Sequence, residues 1–65
     1  MKVNSSIIDE IDYINGNMIV KFKNWTKYRY EAVQPDDHRK IITGKSIWST
    51  FKEMVAKRKF KYSKI

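Results

Sequence analysis

Two apolar alternations meet at Tyr13-Ile14-Asn15-Gly16-Asn17-Met18, and the dipeptide Asn15-Gly16 at their junction restricts the fold more than any other feature. A two-residue type I′ turn needs positive φ at both central residues, which asparagine and glycine tolerate, and its twist matches that of the strands it joins. The turn also sets a register. Ile14 faces Asn17, Tyr13 faces Met18, Asp12 faces Ile19, Ile11 faces Val20 and Glu10 faces Lys21. A third β-type stretch contains Lys27-Tyr28-Arg29-Tyr30. A three-residue loop at Asn24, Trp25 and Thr26 would pair Phe22 with Tyr28, Val20 with Tyr30 and Met18 with Ala32. A two-residue loop would set Phe22 against Lys27 and mix the faces. The expected product is an antiparallel meander with one apolar face, on which Tyr28 and Tyr30 point inward. On the other face, Glu10, Lys21 and Arg29 form one row and Asp12, Ile19 and Glu31 the next, so opposite charges are interspersed. Asp9 is then the one polar residue pointing to the apolar side.

Pro35, the only proline, marks the change from strands to helices. It fits the first position of a short helix whose first turn carries Asp36 and Asp37, complementing the helix dipole, and which Gly44 stops. Ser46 caps a second helix with apolar positions Ile47, Phe51, Met54 and Val55, spaced i, i+4, i+7, i+8, a stripe that can cover a three-stranded sheet. Trp48 borders that stripe. The segment from Phe60 to Lys64 reads either as an extension of this helix or as an edge strand. The predicted class is α+β: one domain over residues 1–65, a three-stranded antiparallel meander packed against one amphipathic C-terminal helix, with a short helix before it.

A chain of 65 residues buries little more than half of the surface its unfolded form exposes and has no room for a deep substrate pocket plus a scaffold. Without cysteine it has no disulfide and no thiolate metal site, and it has no run of about 18 apolar residues. A cytoplasmic protein is expected, with no membrane and no small-molecule substrate. Its charge is divided unevenly. Residues 1–37 hold five basic and six acidic groups, net −1, whereas residues 38–65 hold nine basic groups and Glu53 alone, net +8, giving the total of +7. Such asymmetry points to a polyanionic partner or, more simply, to a solvated, solubilising tail.

Chemistry for catalysis is thin. Thr43-Gly44-Lys45-Ser46 has the ending of a phosphate-binding loop, but Arg39 stands where that loop needs its first glycine and no strand leads into it. His38 is the sole histidine, so no His/Cys metal cluster exists, and only Asp36 or Asp37 could orient it as a general base. A non-enzymatic binding protein is expected, with no cofactor and no metal. The strongest cue is the interleaving of Lys57, Arg58, Lys59, Phe60, Lys61, Tyr62 and Lys64, because cations neutralise phosphates and rings offer stacking surface worth about 1–3 kcal/mol per base. The same rings can instead pack on the domain edge beneath outward-reaching lysines.

Several stretches resemble the KTSC domain family: the opening Val3, Ser5, Ser6 and Ile8, the central Tyr28-Arg29-Tyr30 leading to Val33, Ser46 ahead of Phe51, and the aromatic-basic end with Phe60 and Tyr62. Modules of this family occur at the C-terminus of some lysyl-tRNA synthetases, and free-standing members resemble products of bacterial viruses and mobile elements. Where family members usually carry a glycine, two residues after the serine, this chain has Trp48. The resemblance implies an RNA-binding accessory role and no enzymatic activity. The expected nucleic-acid contacts are Arg39, Lys40, Lys52, Lys57, Arg58, Lys59, Lys61, Tyr62 and Lys64, with RNA favoured. A protein-interaction module or virus-type inhibitor is the alternative, presenting the basic surface to an acidic protein face with Trp25 and Trp48 as anchors.

Overall fold

The Asn15-Gly16 turn forms with φ of 49° and 81° in a computed structural model covering residues 1–65. It joins β1 (Ile8–Ile14) to β2 (Asn17–Phe22), and all five expected pairs, from Ile14 with Asn17 to Glu10 with Lys21, are present. Beyond Glu10 the register shifts: a bulge between Ile8 and Glu10 sets Ile8 opposite Phe22. The extra residue reverses the alternation. Ile8 therefore joins Ile11 in the core, while Asp9, expected on the apolar side, turns toward Lys2 at 3.1 Å and Lys21 at 3.8 Å.

β3 (Lys27–Tyr30) pairs with β2 in a register two residues from the expected one: Met18 with Tyr30, Ile19 with Arg29, Val20 with Tyr28 and Lys21 with Lys27. The loop does have three residues, but they are Lys23, Asn24 and Trp25. The Trp25 N–H donates to Phe22 O at 3.0 Å, Trp25 adopts φ 72°, and the Phe22 N–H donates to Thr26 O at 2.8 Å. This is the turn-plus-left-handed-residue loop common in hairpins. A shift of two keeps every side chain on its face, so Tyr28 and Tyr30 still point inward. Lys21 now faces Lys27, and Arg29 faces Ile19 rather than Lys21. Ala32, expected opposite Met18, lies outside the sheet with φ 55°.

α1 (Pro35–Thr43) begins at Pro35 and buries Ile41; α2 (Ile47–Arg58) begins after Ser46, whose hydroxyl accepts from the Ser49 N–H at 3.3 Å. Gly44 between them has ordinary backbone angles, φ −68°. Its missing side chain is what matters, since a Cβ there would lie 2.5 Å from Thr50 Oγ1 and block the corner between the helices.

The sheet has four strands, not three. α2 ends at Lys59, in the left-handed conformation at φ 52° with its N–H donating to Val55 O. The chain then returns as β4 (Tyr62–Lys64) against β3, pairing Tyr30 with Tyr62, Arg29 with Ser63 and Tyr28 with Lys64. Of the two readings of the C-terminal segment, the edge strand is the one realised. The sheet order is β1-β2-β3-β4, and both helices pack on one face around Ile8, Ile11, Met18, Val20, Val33, Ile41, Phe51 and Met54 together with Tyr30.

Candidate nucleic-acid interface

Residues directly opposite each other in an antiparallel pair project from the same face. The β3–β4 register therefore puts Tyr62 and Lys64 on the same face as Tyr30 and Tyr28, beside α2. Tyr62 contacts Tyr28 and Tyr30 with ring centroids 5.8 and 5.7 Å apart, and yet it remains 58% exposed. On the helix side Trp48 stacks on Phe51 at 5.8 Å, with Phe22 edge-on to both. Between these walls runs an open groove of about 440 Å³ lined by nine residues, of which Lys52 alone is charged. Lys52 holds its ammonium 5.3 Å from the centre of the Trp48 ring, a cation–π contact. Burial pushes the Tyr30 phenol above its ordinary value, with smaller contributions from Tyr28 and Tyr62.

A second groove of about 440 Å³ lies on the other side of the β4 approach. It brings Lys40, Arg58, Lys59 and Lys61 together, but also Glu31, Asp36 and Asp37. Arg58 is not a free cation. Its guanidinium reaches across from the last turn of α2 to Asp37 in the first turn of α1, with Nε 3.2 Å from one carboxylate oxygen and a terminal nitrogen 3.3 Å from the other. Asp37 is 3% exposed and Arg58 46%, so the pair ties the helices together and gives Arg58 a structural role. Arg39 and Lys57 are exposed but line neither groove.

His38 lies outside both grooves. Its ring stacks on Tyr13 with centroids 4.7 Å apart, its Nε2 is buried without a partner, and burial pulls its pKa below the usual imidazole value. Asp37, the carboxylate that might have oriented it, is engaged by Arg58. Trp25 stands 78% exposed at the β2–β3 hairpin tip, contacted by the Lys21 ammonium at 4.7 Å. Trp48 is half-buried and lines the aromatic groove. No helix is long and apolar enough to cross a membrane.

Charge and aromatic counting singled out Lys52 and Tyr62 but missed Phe22, Val55, Ala56 and Tyr28 as groove residues. Strand alternation had put Phe22 and Tyr28 on the inner face; only the return of β4 decided that this part of the face would stay open.

A small α+β module with a one-sided helical cover and an aromatic groove at one sheet edge is the class this geometry defines. The KTSC domain family model matches residues 4–60, and the chain belongs to that family. A comparison with curated proteins finds no match.

Proposed function

We propose that this protein is a non-enzymatic module that binds single-stranded nucleic acid, RNA by preference, in the cytoplasm. The observation that carries this reading is β4. By pairing with β3, it holds the basic-aromatic C-terminal segment in a fixed geometry, with Tyr62 lining the aromatic groove, Lys64 on the same sheet face, and Lys59 and Lys61 in the second groove. A flexible basic tail would attract polyanions with no shape preference, whereas an ordered one presents cations and rings together, the combination used for single strands. Lys52 adds a cation from α2 in the aromatic groove, and Lys40 one from α1 in the second groove. Arg39 and Lys57 add long-range attraction.

Binding of a fluorescently labelled RNA, followed by anisotropy across a salt series, tests the reading. About four neutralised phosphates would give a log–log salt slope near −3 for a single strand. Replacing Lys59, Lys61 and Lys64 by glutamine is expected to flatten that slope and weaken binding. No binding at low salt, or binding indifferent to salt, would remove the proposal.

The exposed Trp25 favours a second reading, a module that docks on an acidic protein surface through the hairpin tip. Recovery of one protein from extract after nuclease treatment, lost on Trp25→Ala, would support it.

A further inference from the structure

We infer that the aromatic groove between α2 and β4 is a pocket for one unstacked nucleobase, entering between Tyr62 on the sheet side and Trp48 on the helix side, with the adjoining phosphates met by Lys52 and Lys64. This rests on the nucleic-acid reading above and adds to it where a base, rather than a phosphate, is held.

Three observations carry it. The groove, about 440 Å³, falls within the size range of small-ligand sites. Its lining includes ring surface that the core leaves uncovered: Tyr62 is exposed and Tyr28 and Trp48 are half-buried, beside the buried rings of Tyr30 and Phe51. A base offers such rings a π-face whatever its identity. The charge in the groove's lining is a single positive one. Lys52 is its only charged lining residue, and Lys64, directly opposite Tyr28 in the β3–β4 pair, stands on the same face at the sheet edge. One lysine therefore lies in the helix wall and a second stands beyond the lining on the sheet side, an arrangement that suits a ring carried between two phosphates. An apolar protein side chain would have no use for both cations.

Ala56, one helical turn after Lys52 and exposed on α2, keeps the groove open. A larger residue there fills the space without removing a ring or a charge, and leucine suits an exposed helix position.

The test uses the full chain carrying Trp25→Phe, so that Trp48 is the sole indole, titrated with a short oligoadenylate and, separately, with inorganic polyphosphate of matched charge as a base-free probe. The oligoadenylate is expected to change Trp48 emission and to bind roughly tenfold more tightly than polyphosphate. Ala56→Leu and Tyr62→Ala should each bring oligoadenylate down to the polyphosphate level and leave polyphosphate binding unchanged, with Tyr62→Phe restoring the preference. Thermal melts establish that each variant is folded. Equal binding of both polyanions, or full oligoadenylate affinity in folded Ala56→Leu, would overturn the base pocket while leaving the phosphate-binding reading in place. If neither polyanion binds, both fall. A Trp48 response to an acidic aromatic peptide and not to oligoadenylate would overturn the pocket in favour of a protein occupant.

Discussion

The two ends of the apolar sheet face each carry a tyrosine beside a helix, and they are finished differently. At the β1 end, Tyr13 stacks on His38, and its hydroxyl donates to the Val33 carbonyl. Val33 in turn donates its N–H to Gly16 O at 2.8 Å, so the chain leaving β3 is stitched back to the first hairpin. That end is closed. At the β4 end, the rings of Tyr28, Tyr62 and Trp48 meet their neighbours but leave a groove between them. Aromatic content alone does not separate the two ends. What separates them is whether a ring's far side and its polar tip are already engaged, because an engaged ring stabilises the fold and an unengaged one is available to a ligand.

The sharpest way to break this comparison is to truncate both tyrosines. Tyr13→Ala is expected to cost about 2–4 kcal/mol of unfolding free energy, through lost packing and the unpaired Val33 carbonyl. Tyr62→Ala, at an exposed edge, should cost less than about 1 kcal/mol. Urea unfolding of the two variants decides it, and equal losses would mean that the open end is as structural as the closed one.

The Arg58–Asp37 pair provides the next largest effect, since it fixes the end of α2 that leads into β4. Arg58→Ala leaves the buried Asp37 carboxylate without its partner and is expected to cost about 1–3 kcal/mol, discounted because Arg58 is itself half exposed. Asp37→Ala leaves the exposed guanidinium to water and should cost less. A reversed order in denaturant midpoints would show that the pair is not held from the Asp37 side.

The smallest predicted effect is one of pH at the closed end. Burial lowers the His38 pKa in the folded chain, while the unfolded chain keeps the ordinary value of about 6.5. Between those two values the unfolded state binds more protons, so stability rises with pH there. The contribution is complete above about pH 6.5 and is lost as pH falls through that value toward the folded pKa. Asp9, whose carboxyl is lowered chiefly by its hydrogen bond to Lys2, acts in the same direction, but only in the more acidic carboxylate range. Thermal melts between pH 5 and 7 should show the His38 component, and His38→Gln should remove it. Lys52→Gln at the open end should leave it unchanged.

Much of the fold was legible in the sequence because its signals are local. Asn15-Gly16 specified the first hairpin, Pro35 the start of α1, and Ser46 with the Ile47–Val55 stripe the start and buried face of α2. The three-residue second loop was predicted one residue too late, since the left-handed position accepted Trp25, and tryptophan carries no turn signal of its own. The bulge at Asp9 was hidden for a similar reason: strict alternation assigned the residue inward, and pairing with Lys2 and Lys21 overrode it. In the site, Lys52, Trp48 and Tyr62 were legible as residues of interest. That Arg58 belongs to Asp37, far away in sequence, was not.

By itself, then, the sequence determined the β-hairpin, the parity that sends Tyr28 and Tyr30 inward, the two helices with the Ser46 cap of the second, and the concentration of positive charge after residue 37. Each of these depends on residues within a few positions of one another, where turn chemistry, capping and periodicity act directly. The tertiary structure decided that the Phe60–Lys64 segment becomes a fourth strand, that Arg58 is spent on Asp37, and that one end of the aromatic face closes while the other stays open. Those outcomes turn on long-range pairing. Tyr62 lies 32 residues from its partner Tyr30, and local propensity carries no information about a contact that exists only once the chain has folded back on itself.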